Sequence, residues 1–279
     1  MNYGQFLNMV PEFYLVCILL VVFFVDFICV RKSEKSREVF GGVTIALMLV
    51  LPFRIALLSE PAEAFGGMYV ASQAANVMKV ILSIGTVIVL IMAEPWLKNE
   101  AKSHRGEFYL LVLSTLLGMF IMVSSGNFLL FFLGLETASV PMACLVAMDK
   151  WKKKSAEGAA KYILTATFSS GIMLYGLSFV YASTGTLYFS DVASHMTYMA
   201  QFKSQLPLLV TGLVFFFSGL GFKLSLVPFH FWTADTYEGA PTPVTGYLSV
   251  VSKGAAAYAL MFILMRAFAP LVEYWEYML

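Results

Sequence analysis

Glu136, Lys223 and Lys253 each sit inside a long apolar run of a 279-residue chain, where ionisable side chains are costly. A lysine or carboxylate at the centre of a membrane-spanning helix costs about 2.5–3.5 kcal/mol on insertion scales, so such residues face a cavity or a partner. A lysine balanced between desolvation and a nearby carboxylate can bind and release a proton near neutral pH. The chemistry these residue types offer is proton transfer at membrane depth. A static ion pair that locks the helices together is the alternative.

The spacing around Lys223 adds to this. Pro228 follows five residues later and His230 two residues after that. Proline lacks an amide hydrogen, so a helix continuing to that point would leave the carbonyl of Leu224 without its donor. Unpaired backbone at membrane depth is tolerated where it is buried in protein or lines a wet cavity. A hydrated break beside Lys223 is therefore expected, with a packing kink as the other reading. His230 lies at the break, as a proton relay or as a structural imidazole. Lys161, one turn after Glu157, belongs either to the buried network or to an intrahelical ion pair. Asp235 and Glu238, in the loop after the break, either collect protons or cap a short helix. Near Lys253, Ser249 lies one turn earlier, and Gly254 and Ala255 to Ala257 allow close approach of another helix.

Other chemistries find no matching pattern. Gly219-Leu220-Gly221 falls within an apolar run and lacks the third glycine of a phosphate-binding turn. His104 and His195 lie in polar segments, away from positions for paired haem ligands, and no serine, histidine and carboxylate set marks a hydrolase. Cys17, Cys29 and Cys144 are odd in number, lack CxxC spacing and read as small core residues. Stripes of Phe and Met read as lipid-facing or core surface. A net charge of +1 without a basic stripe gives no nucleic-acid footprint.

The elements that must position these residues follow from composition. The chain is 59% hydrophobic and 13% charged, with a mean hydropathy of +0.79, more apolar side chain than one soluble core hides. The spacing predicts an all-α, polytopic transmembrane helix bundle of about eight spans. These lie near residues 11–30, 40–58, 75–96, 108–123, 128–148, 157–181, 206–229 and 242–268, with the seventh discontinuous. The first run is not a signal peptide, because its basic residues follow it. Asp26, near that basic end, reaches the headgroups, meets a neighbouring subunit or takes part in transport. An acidic, glycine-bearing loop with Glu60, Glu63 and Gly66-Gly67 separates the second and third runs. Ser124 to Asn127 form a tight turn using the left-handed tolerance of glycine and asparagine, which makes the fourth and fifth helices antiparallel neighbours. Residues 184–205 form a polar segment.

Eleven basic residues follow the first, third and fifth runs: Arg31, Lys32, Lys35, Arg37, Lys98, Lys102, Arg105, Lys150, Lys152, Lys153 and Lys154. Arg54, Lys79, Lys203 and Arg266 lie near the opposite surface. The positive-inside rule puts the N-terminus outside the cytoplasm. The lysine run at 150–154 reads as this orientation signal on a solvated loop, with a lipid or partner site as the alternative.

The run FKLSLVPFHFWTADTYEGAPTPVTGYLSVVSK, residues 222–253, resembles the signature of the antiporter-like membrane subunits of bacterial NADH:quinone oxidoreductase, respiratory complex I. The likeness extends over nearly the whole chain: three leading helices (residues 1–106), a five-helix half-channel unit (107–268) carrying the glutamate of FLGLE, and the start of a further element (269–279). The resemblance implies a proton-translocating subunit of the cytoplasmic membrane, driven by quinone reduction elsewhere in the complex. It implies that Glu136 is the fifth-helix glutamate paired with Lys223 of the broken helix. Lys253 is then the lysine passing protons towards the central axis, and Lys161 a further member. It implies other membrane subunits and the lipid bilayer as partners and no nucleic acid. No cofactor is expected in this chain; NADH, FMN, iron–sulfur clusters and quinone belong to other subunits. Similar proteins also occur in cation/proton antiporters and membrane-bound hydrogenases. Such proteins continue into a second, inverted five-helix unit, so the expectation for this sequence is one half-channel, or a fragment of a longer chain. A structural membrane scaffold is the reading without transport.

Overall fold

The computed structural model describes residues 3–29, 34–100, 104–200 and 206–277. A short 3₁₀ turn, Tyr3–Asn8, leads into α1 (Val10–Cys29) and α2 (Glu34–Leu58). A two-stranded antiparallel hairpin, β1 (Ala62–Ala64) and β2 (Tyr69–Ala71), precedes α3 (Gln73–Asn99). Then come α4 (Arg105–Val123), α5 (Phe128–Val146) and α6 (Lys153–Thr184). The surface helix α7 (Phe189–Ala200), α8 (Leu206–Leu224) and α9 (Phe231–Gly239) follow. The eighth span is composite: α10 (Thr242–Gly246), a π-helical turn at Tyr247–Ser252 and α11 (Lys253–Arg266). A 3₁₀ turn at Ala269–Leu271 and α12 (Val272–Trp275) end the described chain.

Eight of these segments are long and apolar enough to cross a bilayer, from Val10–Phe27 to Thr242–Arg266. Their positions match the expected runs, because only intrasegment hydrogen bonding satisfies the backbone in hydrocarbon. Arg31, Lys32, Lys102 and Lys203 lie outside the described residues, as do the side chains of Lys35, Arg37 and Cys29.

Helix ends carry recognisable caps. The hydroxyl of Ser72 accepts the amide of Ala75 at 3.1 Å ahead of α3, and the Asn127 side chain accepts the amide of Leu129 at 2.7 Å ahead of α5. Close packing rests on glycine. A β-carbon on Gly134 would stand 2.5 Å from the Met122 amide nitrogen, so α5 lies directly against α4. A β-carbon on Gly176 would stand 2.7 Å from the Phe216 amide nitrogen, bringing α6 against α8. Between these pairs, Phe128, Phe216 and Phe268 form an aromatic cluster with centroids 5.4–5.7 Å apart.

Several expectations change. The loop after α2 folds into the hairpin, and the polar segment after α6 contains α7, whose Phe189, Val192 and Met196 are buried at helical spacing. Ser124 to Asn127 do reverse the chain, but no residue there has a positive φ. Gly126 is needed instead because a side chain would strike the Gly67 carbonyl and Val70 of the hairpin. Lys79, expected near the surface, is fully buried, since its position faces α1 and β2 rather than water. The Asp26 carboxyl turns inward onto Gly106 at the start of α4. Cys17 is half-buried and Cys144 faces outward, so Cys144 is not a core residue.

Candidate functional site

α8 stops at Leu224, before the proline. Ser225 adopts a left-handed conformation with φ 60°. Its amide donates to Phe222 O at 2.9 Å, and the amide of Leu226 donates to Gly221 O at 2.9 Å. This is a Schellman end, with serine where glycine is usual. The indole of Trp232 on α9 donates to Phe222 O at 3.1 Å. Protein donors therefore take the Gly221 and Phe222 carbonyls, and the break begins three residues upstream of Pro228 rather than at it.

Lys223 occupies the last turn of α8 and is 5% exposed. Its ammonium donates to Ser139 Oγ on α5 and to Tyr162 Oη on α6, each at 3.0 Å. A cationic group near a helix C-terminus also meets the negative end of the helix dipole. Glu136 is half-buried on α5, one turn before Ser139. Its carboxylate accepts a hydrogen bond from Ser170 on α6, and no ion pair joins it to Lys223 among the described residues. Beside Lys223 lies a cavity of about 10 Å³ whose polar lining is Ser139, Ser169, Ser170 and Lys223 and whose remaining wall is apolar, including Leu135, Met173 and Phe222. That is about the space of one water molecule, with three serine hydroxyls and the Lys223 ammonium as its polar partners. The expected pair is thus two groups with separate hydroxyl partners, Ser170 for Glu136 and Ser139 and Tyr162 for Lys223.

Lys253 follows the π turn and is half-buried. A β-carbon on Gly254 would stand 3.7 Å from the Met78 side chain of α3, and Ala255 and Ala256 are fully buried, so the small residues do admit a neighbouring helix. The ammonium of Lys253 stands 5.2 Å from the centre of the Tyr237 ring. Tyr237 meets Trp232 edge-on at 6.3 Å, and Trp232 meets Tyr162 at 5.2 Å. An aromatic column therefore runs from the lysine of the broken helix to that of the eighth span. Burial pushes the Tyr237 phenol up to about 12.

Lys161 is partly exposed and pairs with Glu157 and Asp235, each at 2.6 Å. It combines the intrahelical pair with a bridge to α9, while Lys154 pairs with Glu238. Neither Asp235 nor Glu238 caps a helix. His230 is the exposed N-cap residue of α9, makes no capping bond, and stacks on Phe231 at 4.7 Å. Among the described residues, no hydrogen bond joins it to Lys223. Tyr162, Ser170 and Tyr237 were not singled out from the sequence. A tyrosine directly after Lys161 and a serine pair within an apolar helix were the available signals.

The family described as NADH:quinone oxidoreductase/Mrp antiporter, TM, matches residues 125–279. NADH-quinone oxidoreductase subunit N of Phocaeicola vulgatus is 52% identical over 277 residues, 99% of this chain and 56% of the relative. The subunit of the same name from Azobacteroides pseudotrichonymphae is 47% identical over the same shares. A chain of respiratory complex I from Thermus thermophilus with bound aureothin superposes with a TM-score of 0.68 at 28% identity, over 90% of this chain and 52% of that one. The Mrp complex from Dietzia sp. shares the fold alone, with a TM-score of 0.70 at 18% identity over 96% of this chain and 50% of its match. The chain spans about half the length of the curated relatives it matches. The match over more than half of the sequence, on a bundle with a buried lysine at a broken helix, makes this chain a member of the NADH:quinone oxidoreductase/Mrp antiporter transmembrane family.

Proposed function

We propose that this chain forms a proton-transfer half-channel of a bacterial NADH:quinone oxidoreductase, working as a redox-inactive membrane portion of that translocase. Residues 1–106 supply three leading helices and 107–268 the half-channel, with 269–279 opening a further element. Glu136, Lys223 and Lys253 carry the proton, with Lys161 at the cytoplasmic side and His230 at the break. NADH, FMN, iron–sulfur clusters and quinone reside in other subunits, and neighbouring membrane subunits and lipid are the partners. The chain lies in the cytoplasmic membrane with its N-terminus outside the cytoplasm.

The observation that carries this reading is Lys223 itself. It is a buried ammonium with hydroxyl partners on two helices, opening onto a water-sized space also lined by Ser170, the donor to Glu136. A proton moved onto or off Lys223 can be passed through hydroxyls without exposing charge to hydrocarbon. Quinone reduction elsewhere then needs only to shift the balance between the charged and neutral forms. Substituting Lys223 by alanine in the assembled complex lowers proton pumping in sealed vesicles; unchanged pumping with intact assembly sinks the assignment. Cation-dependent proton exchange in vesicles lacking flavin and iron–sulfur subunits would instead favour an antiporter.

A further inference from the structure

A second buried charge cluster lies outside this network, in the leading helices. Lys79 of α3 stands 2.6 Å from Glu12 Oε1 of α1. It also donates to Tyr69 Oη of β2 at 3.0 Å, and Tyr69 donates to Glu12 Oε2 at 2.8 Å. Lys79 and Tyr69 are fully buried and Glu12 is 3% exposed. The apolar ring of Phe120 on α4 closes the site 5.8 Å from the ammonium. The charged and titratable groups facing one another are thus Glu12 from α1, Tyr69 from β2 and Lys79 from α3.

A purely structural role is poorly served by such a triangle. Desolvating two charges offsets most of their attraction, and apolar residues of the same size hold helices together as well or better. The triangle has a property that an apolar contact lacks. A proton can pass from the Lys79 ammonium to the Glu12 carboxylate, leaving a neutral amine and a neutral acid. The N–H bond breaks, the O–H bond forms, and net charge is unchanged. Loss of the acid proton to water then leaves one negative charge, and reprotonation restores the ion pair.

Polar groups lie on both sides of the triangle. The strand carrying Tyr69 presents Val70, and Ser72 just beyond it, to a crevice of 530 Å³ that also holds Glu63, Asp191 and Arg266. The crevice thus lies on the face of β2 opposite the buried Tyr69 side chain, one strand's thickness from the triangle. On the other side, buried Ser83 and Thr86 lie about one and two turns along α3 from Lys79, their hydroxyls donating to the backbone carbonyls of Lys79 and Leu82, each at 2.7 Å. Thr86 and Thr115 both meet the hydroxyl of Tyr247, the latter at 2.9 Å. Tyr247 opens the π turn that ends immediately before Lys253.

We propose that Glu12, Tyr69 and Lys79 form a second proton-holding site, at the outer end of the leading helices, that exchanges protons with the outer solution as the half-channel works. It rests on the transport reading above and lies outside the residues the family match covers. The test uses the full-length subunit in the assembled complex in sealed vesicles, comparing Glu12→Gln, Lys79→Met, Tyr69→Phe and the conservative Glu12→Asp. Protons pumped per quinone reduced fall at least twofold for Glu12→Gln and Lys79→Met, Tyr69→Phe shifts the pH profile of pumping, and Glu12→Asp restores the ratio. Infrared difference spectra between acid and alkaline buffer lose a carboxylic acid band in Glu12→Gln. Wild-type ratios and pH profiles in all variants overturn the proposal, as does failure of both near-isosteric variants, Glu12→Gln and Tyr69→Phe, to assemble, which marks the triangle as structural. If Lys223→Ala abolishes pumping while these variants leave it intact, only this proposal fails. If Lys223→Ala also pumps normally, the transport reading itself fails.

Discussion

Lys223 Nζ lies 3.0 Å from Tyr162 Oη, while Lys161, the residue just before that tyrosine, reaches away to Asp235 and Glu157. Successive residues on an α-helix point about 100° apart. One turn of α6 therefore serves both the buried lysine and the charged bridge to α9. The tyrosine, not the sixth-helix lysine, is the direct contact of Lys223.

Tyr162→Phe removes that contact and keeps the ring against Trp232. Lys223 then retains only Ser139 as a hydroxyl acceptor. Leaving a buried donor short of a partner costs about 1–3 kcal/mol. Thermal unfolding in detergent is expected to show this loss, and pumping in vesicles is expected to fall together with it. Unchanged stability and pumping would mean that Ser139 alone suffices.

Gly134→Leu tests the approach of α4 and α5. Any β-carbon at this position meets the backbone of Met122, and backbone cannot turn aside as a side chain can. Over-packing of this kind costs about 1–3 kcal/mol or more. The variant is expected to unfold at lower temperature than Gly171→Leu, because a β-carbon at Gly171 meets nothing within 4 Å. Equal destabilisation by the two substitutions contradicts the packing described.

Ser225 supplies the left-handed residue that ends α8. That conformation costs an L-residue roughly 1–2 kcal/mol and a β-branched residue more. Ser225→Gly relieves the backbone cost but loses the hydroxyl that accepts from Thr233 at 2.7 Å, so its net effect is expected within about 1 kcal/mol. Ser225→Val loses the hydroxyl and worsens the backbone, costing about 2 kcal/mol or more. Chemical unfolding that ranks valine above glycine in stability refutes the capping account.

Tyr237 gives the protein an alkaline limit. Its phenol is pushed from the ordinary 10.0 to about 12 by burial. Between those values the unfolded chain has released a proton that the folded chain still holds, so stability falls as pH rises. The contribution is fully present below pH 10.0 and is lost as pH rises to about 12. Tyrosinate absorbance is expected to show a late-titrating phenol that disappears in Tyr237→Phe, and the alkaline decline in stability should shrink with it.

The sequence by itself determined the bundle. Eight apolar stretches of spanning length leave no alternative to helices, because hydrocarbon offers the backbone no other partner. It also picked out Glu136, Lys223 and Lys253, since charge in an apolar run stands out without any structure. Tertiary structure alone decided which groups touch those charges. Ser139, Tyr162 and Ser170 are ordinary in sequence and become partners of Lys223 and Glu136 only when α5, α6 and α8 meet. The break in α8 was visible through Pro228, but its location depended on Ser225, whose left-handed backbone has no marker as plain as a glycine. Lys79 was misplaced at the surface for the same reason. Distance along the chain from a loop measures depth in the bilayer, whereas burial depends on which face of the helix the neighbours cover.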